Sequence, residues 1–347
     1  MKRSQFISMD LGTANTLVYI EGQGVVYDEP AIVAYNTREQ RIVAVGNEAF
    51  DMIGKGNRIL KIIKPMAHGV ISDIKAVLGQ LNHIFLKLQV NRQFHGCIML
   101  LACPSQVTAL EKKALEKIGL SFGAHRVFIE EEVKMSALGG GLNIDAPRGC
   151  LVVDMGGGTT DVAVLSSGDI VLSDSIKVAG NVINEDIIKY IKNKHQLDIG
   201  FKTAEVVKIN IGSVNRYADE NSIKIFGRDA ITGLPREIAI YPEELRDIIK
   251  FSLAKIINLI VSVLEQTPPE LSGDIFTSGI LLTGGSALIK GIERFFKETL
   301  NLPVKVCPQP LLAVINGTRK YEENIYNLMK REEELKNLKK DDDFKLI

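Results

Sequence analysis

One pattern occurs twice in this chain and limits the folds open to it. It is a buried strand ending in an aspartate, a Gly-Thr loop, and a return strand. The first copy is Phe6-Ile7-Ser8-Met9-Asp10, then Leu11-Gly12-Thr13-Ala14, then a strand over 15–20. The second is Cys150-Leu151-Val152-Val153-Asp154, then Met155-Gly156-Gly157-Gly158-Thr159-Thr160, then Asp161-Val162-Ala163-Val164-Leu165. A second pattern also repeats, a wholly apolar strand feeding a helix. Ile98 to Cys103 stops at Pro104-Ser105, and Gly279 to Thr283 stops at Gly284-Gly285-Ser286. Strands alternating with helices, in two matching sets, predict an α/β protein of two related domains facing each other. At 347 residues, a domain size of roughly 150 gives the same count.

The segments between the repeats fill in the rest. Residues 24–45 carry β-type runs such as Ala31-Ile32-Val33-Ala34, and apolar spacing predicts helices over 74–88, 107–118 and 243–266. The region 181–235 reads as helical and charged, a polar insert of the second domain. From Tyr321 the chain is rich in Glu and Lys, as in Lys330-Arg331-Glu332-Glu333-Glu334, and predicts a helix fraying into a solvated tail.

Charge and cysteine usage remove several functions. Lys plus Arg and Asp plus Glu both number 42, giving no net charge. A nucleic-acid binder would show a basic excess, whereas neutrality permits copies of the chain to approach one another. No apolar core precedes Asp10, so no signal peptide is expected, and no uncharged run reaches the roughly 18 residues of a membrane span. Cys97, Cys103, Cys150 and Cys307 are scattered without a C-x-x-C spacing. They read as buried free thiols in a reducing, cytoplasmic setting.

A Gly-Thr loop between two strands turns backbone N–H groups into one small volume and can hold phosphate oxygens. A single such loop is often only a turn. Here each of two loops follows an aspartate at the end of a buried strand, where a charge is costly unless it serves a purpose. Asp10 and Asp154 either cap their own turns or face each other across a cleft. Two carboxylates beside a polyphosphate suit Mg²⁺, which keeps most of its waters. Gly284-Gly285-Ser286 is either a tight strand-to-helix turn or a nucleotide-contacting helix start. The chain has no G-x-x-x-x-G-K-[ST] and no G-x-G-x-x-G after its first strand, which argues against P-loop and dinucleotide folds.

Asp10-Leu11-Gly12-Thr13-Ala14-Asn15-Thr16, Asp154 to Thr160 and Leu282-Thr283-Gly284-Gly285-Ser286 resemble the three nucleotide motifs of the actin/Hsp70/sugar-kinase superfamily. Tyr27 to Val33, Ile63 to Ile71, Thr203 to Ser213 and Pro310 to Thr318 narrow the resemblance to the MreB-type bacterial actins, in family order over nearly the whole chain.

The resemblance implies an actin-like ATPase fold. Two RNase-H-like domains would flank a nucleotide cleft, each with an inserted subdomain. Subdomain IA would comprise 1–31, 68–146 and 313–335, and IB 32–67. Subdomain IIA would comprise 147–181 and 243–312, and IIB 182–242, with 336–347 a flexible tail. ATP or ADP with Mg²⁺ would occupy the cleft. Gly12, Thr13, Ala14 and Asn15 would hold phosphates from one side, and Gly156, Gly157, Gly158, Thr159 and Thr160 from the other. Asp10 and Asp154 would hold the metal, mainly through water. Glu205 and Lys208 would reach the ribose and base, unless they form a solvated i,i+3 ion pair. Gly284, Gly285 and Ser286 would contact the adenosine. Glu132, with Thr159 as its partner, would orient the water that attacks the γ-phosphate, and Asp154 would complete the catalytic set; the acidic turn Glu130–Glu132 could instead be merely solvated. Val133, Lys134 and Asn181 depart from the family pattern, and Lys134 could shift Glu132 or pair with it.

The same resemblance implies head-to-tail filaments, in paired strands, at the inner face of the cell membrane and controlling cell shape. ATP hydrolysis would be slow. A weakly hydrolysing paralogue that co-assembles with another filament protein, for shape change or movement, is the alternative. Leu88, Val90 and Phe94, flanked by Lys87 and Arg92, form either a membrane contact or an ordinary loop; Lys2, Arg3 and Phe6 offer a weaker one. No substrate pocket with a general base points to a small-molecule kinase, and no peptide-binding domain follows as in a chaperone.

Overall fold

The computed structural model describes residues 4–344 apart from 56–57, 91–95, 106 and 218–220, with side chains described to 335. The first half of the chain runs β1 (Phe6–Leu11), β2 (Asn15–Ile20) and β3 (Gly24–Pro30). An insert follows, β4 (Val33–Asn36), β5 (Arg41–Val45) and β6 (Leu60–Ile63), then a small hairpin, β7 (Met66–Ala67) and β8 (Val70–Ile71). β9 (Ile98–Cys103) and β10 (Arg126–Glu131) complete the half. The second half runs β11 (Cys150–Met155), β12 (Thr160–Ser166) and β13 (Asp169–Ile176). Its insert holds β14 (Leu197–Asp198), β15 (Ile223–Asp229) and β16 (Pro235–Ile240), and β17 (Ile280–Thr283) and β18 (Val304–Val306) close it.

Each half builds one five-stranded sheet, β3-β2-β1-β9-β10 and β13-β12-β11-β17-β18. In both, three strands meander antiparallel and two more join in parallel on the far side. The repeat in the sequence is therefore a repeat of topology. β1, β9 and β11 are buried at every position, as expected for central strands covered by helices on both faces. Helix Ile74–Lys87 starts where Asp73 accepts the Ala76 N–H at 3.1 Å. Helix Ala109–Ser121 starts at a Thr108/Glu111 capping box. Helix Pro242–Gln266 buries Leu245, Ile249, Leu253, Ile256 and Ile260 against the second sheet.

Two helices cross between the halves, Glu132–Gly139 and Ala313–Phe344. Glycines make the crossing close. A Cβ on Gly139 would overlap the Ala313 carbonyl, and one on Gly317 would overlap the Met135 carbonyl.

Three expectations need correction. The region 181–235 is helical only over Gly180–His195 and Phe201–Ile211; β15 and β16 then form a hairpin. Its period-2 alternation was hidden by the charges on its outer face, Lys224, Arg228 and Glu237. After Gly284 the chain makes a 3₁₀ turn, Gly285–Leu288, and the helix begins only at Ile292. The last helix continues to Phe344, through most of the segment expected to be a flexible tail, in keeping with its strong helix formers Lys, Glu and Leu.

Candidate active site

β1 and β11 carry Asp10 and Asp154 near the ends of their buried runs, both with 7% exposure. The loops that follow interlock. A Cβ on Gly157 would stand 2.7 Å from the Ala14 Cβ, and one on Gly158 2.6 Å from the Thr13 Cγ2. Only glycine lets the two halves approach this closely. The third loop joins at Gly284, which adopts φ +79°, and whose missing Cβ would lie 2.6 Å from Asp154 Oδ1. Ser286 Oγ donates to the Gly156 carbonyl at 3.1 Å.

Backbone bonds tie the second loop to the next helix: Gly180 N–H donates to Gly156 O at 3.2 Å and Asn181 N–H to Gly157 O at 2.8 Å. Lys208 Nζ donates to the Gly180 carbonyl at 3.0 Å. Burial holds Lys208 below its ordinary pKa, with Glu205 opposing. Among the described residues no Glu205–Lys208 ion pair forms, so the solvated i,i+3 alternative does not hold.

The buried carboxylates lie close enough to repel one another. Glu132 starts helix Glu132–Gly139 and senses Asp10, Asp154 and Asp161. Burial, then repulsion from Asp154 and Asp28, raises Asp10 to about 8. Burial, then Asp161, raises Asp154 to about 7, against the opposing hydroxyls of Thr283 and Ser136. Burial, then its acidic neighbours, raises Glu132 well above the usual carboxylate range. Asp10 Oδ1 and Glu132 Oε1 are buried and have no hydrogen-bond partner. Such oxygens are expensive unless a ligand satisfies them.

This donor set fits Mg²⁺. Among the described residues no three His, Cys, Asp or Glu side chains are grouped to hold a metal directly. A pair of carboxylates completed by water and phosphate is the shell that Mg²⁺ prefers. The same cation would let a polyphosphate enter a site whose own charge repels it.

Not every expected residue faces the cleft as supposed. The Thr160 hydroxyl is fully buried and donates to the Val178 carbonyl at 2.7 Å, so this side chain fastens β12 instead of reaching a phosphate. Asn15 Nδ2 donates to Asp28 Oδ1 at 2.9 Å, leaving its backbone to face the cleft. Lys134 turns away from Glu132. Its Nζ lies 3.6 Å from Glu130, 3.8 Å from Asp169 and 3.5 Å from the Tyr321 hydroxyl. Sequence reasoning missed Asp161, Ser136, Gly180 and Gly69. Gly69, at φ +71°, brings the β7–β8 turn so near Thr159 that a Cβ would stand 3.2 Å from its Oγ1. A charge in the alternating run of β12 was the available signal for Asp161.

The expected membrane contact changes as well. Val90 is wholly buried in the first core, beside Ile84 and Phe85 in the same cluster, and Leu88 packs against that core. Phe94 and Arg92 lie outside the described residues, as do Lys2 and Arg3, and Phe6 is fully buried. Lys87 pairs with Glu29 at 2.9 Å. All four cysteines are free and buried, and among the described residues no helix is long and apolar enough to cross a membrane.

Comparison with known proteins agrees with this architecture. The family model for MreB/Mbl protein matches residues 4–330. The cell shape-determining protein Mbl of Bacillus cereus is 43% identical over 94% of this chain and 98% of its own length. The cell shape-determining protein MreB of Escherichia coli K12 is 36% identical over 93% of this chain and 94% of its own. The crystal structure of MreB 5 of Spiroplasma citri bound to AMPPNP superposes with a TM-score of 0.91 at 47% identity, covering 95% of this chain and 99% of that one. Two matching sheets around interlocked glycine loops, and likeness along nearly the whole chain, make this protein a member of the MreB/Mbl family of bacterial actins.

Proposed function

We propose that the chain binds Mg·ATP between its two sheets, hydrolyses it slowly, and assembles head to tail into filaments that help determine cell shape. The observation that carries this reading is the pairing of unsatisfied carboxylates with interlocked glycine loops. Asp10 Oδ1, beside Gly12, and Glu132 Oε1 are buried without a partner, and Gly157 and Gly158 interlock with Ala14 and Thr13. Relatives bound to AMPPNP and to ADP support the choice of nucleotide. The subdomain division stated above is part of the same reading, supported by the two five-stranded sheets and their inserts.

In this reading the N–H groups of residues 12–15 and 157–159 hold the phosphates, while the Gly156 N–H closes the second loop on the Thr159 carbonyl at 3.0 Å. Lys208 and Glu205 meet the ribose and base, with Gly284, Gly285 and Ser286 on the adenosine side. Asp10 and Asp154 hold Mg²⁺ through its waters; the cation would neutralise charge on the β- and γ-phosphates. Glu132 accepts a hydrogen bond from a water in line with the γ-phosphate. That water's oxygen bonds to phosphorus as the bond to the ADP oxygen breaks, and its proton leaves toward Glu132. A carboxylate whose proton affinity is raised by burial suits that task, and hydrolysis is otherwise a matter of placement. Thr159 keeps the water's neighbourhood in place under the β7–β8 turn.

The co-assembling paralogue rested on Val133, Lys134 and Asn181. Lys134 pairs away from Glu132, and Asn181 holds Gly157 through its backbone, which favours the hydrolysing reading. Filaments would lie at the cytoplasmic face of the cell membrane, as the family resemblance implies, with the contact made elsewhere than at the packed Leu88 and Val90. Glu132→Ala should bind fluorescent ATP with an affinity near wild type and release phosphate about 100-fold more slowly. Equal phosphate release by the two proteins would remove Glu132 from the mechanism.

A further inference from the structure

The inserts of the two halves meet at the mouth of the cleft, and the contact is reciprocal. Lys64, just after β6, places its Nζ 4.2 Å from the ring centre of Phe201, the first residue of helix Phe201–Ile211. Lys202, next on that helix, places its own Nζ 4.0 Å from the ring centre of Phe50 in the first insert. Each half thus supplies one cation and one ring. Lys202 also lies 3.5 Å from Asp51 Oδ1, but Asp51 is 79% exposed. An ion pair that wet contributes little, so the ring contacts carry the association. Lys64 further faces Glu205 and Glu185.

Both arms of this contact lead to the phosphate loops. Two turns along the helix from Phe201, a rise of about 10 Å, Lys208 holds the Gly180 carbonyl beside Gly156. From Lys64 the chain passes Pro65 and the β7–β8 hairpin to Gly69, which packs on Thr159. The two segments that touch at the mouth therefore each run on to the second phosphate loop, one ending on Thr159 and the other beside Gly156. We propose that Phe50, Lys64, Phe201 and Lys202 form a clasp that positions the helix bearing Glu205 and Lys208 and sets how long a nucleotide stays bound. The proposal rests on the nucleotide reading above. These are positioning residues; the clasp acts through the helix and hairpin that it joins. A nucleotide passing the mouth in either direction must part the two contacts, so weakening them should speed both release and entry.

The test uses the full chain with Mg²⁺ and a fluorescent ADP, displaced in a stopped-flow instrument. Phe50→Leu keeps apolar bulk and removes the ring, and should raise the off-rate about 3- to 5-fold. Adding Phe201→Leu should raise it about tenfold, with the on-rate rising as well because entry parts the same contacts. Phe50→Tyr restores a ring and should return the off-rate to wild type. Joining Asp51→Cys to Lys202→Cys with a short bismaleimide should slow release, and the native cysteines, all buried, should not compete. Off-rates unchanged in the leucine variants, on a wild type that binds the probe, would overturn the clasp alone. Failure of the wild type to bind the probe would overturn the nucleotide reading and the clasp with it.

Discussion

Asp10 keeps its proton up to about 8 because burial and Asp154 both oppose its charge. In the unfolded chain the same group ionises near 3.8. Between those values the folded state binds more protons than the unfolded one, so the stability of the ligand-free protein falls as pH rises from about 4 to about 8. Asp154 and Glu132 act in the same direction. Melting of the metal- and nucleotide-free protein should therefore come at lower temperature at pH 8 than at pH 6. Asp10→Asn should make that slope shallower and raise the pH 8 melting temperature, by about 2–4 °C per kcal/mol of relieved repulsion. It should also weaken the stabilisation that Mg·ADP gives the wild type. A variant with the wild-type slope would show that Asp10 carries no such cost. Asp10 and Asp154 were legible because a charge ending a buried strand is costly unless it serves a purpose, and the pattern occurs twice. Thr160 was misplaced because sequence does not tell which hydroxyls a strand uses internally, here on Val178.

The central elements could be read because their burial is extreme. An unbroken apolar run such as Ile98 to Cys103 has little alternative to a central strand. The hairpin β15–β16 was harder, since Lys224, Arg228 and Glu237 present a charged face that also suits a helix. Val90 posed the opposite problem, for an apolar residue set among polar neighbours in sequence can still lie wholly within the core. Pair distances were equally hidden at the crossing of helices Glu132–Gly139 and Ala313–Phe344. Alanine in place of glycine within a helix normally stabilises by about 1 kcal/mol. At Gly317 the new Cβ meets the Met135 carbonyl, and backbone cannot yield as a side chain can. Gly317→Ala should therefore destabilise by about 1–3 kcal/mol, read as a lower urea midpoint. A midpoint at or above wild type would mean that the helices part freely. The same substitution at exposed Gly273, where nothing lies within 4 Å, is the control.

At the scale of the whole molecule, the duplicated sheets give the proposed function its physical basis. The interlocked loops and the crossing helices join the halves at the cleft floor, and the inserts join them at its mouth. A ligand bound by both halves must favour one relative placement of them. Subunits that bury a surface spanning both halves would then assemble according to what fills the cleft, and a head-to-tail contact that does not close makes a filament. The most direct test is high-speed pelleting of the purified chain with Mg·ATP, with Mg·ADP, with ATP and EDTA, and without nucleotide, each sample viewed by electron microscopy. Filaments in the Mg·ATP pellet, lost with EDTA and without nucleotide, are the expected result. Protein that stays in the supernatant in every sample, or filaments indifferent to nucleotide and metal, would contradict the link between cleft and polymer.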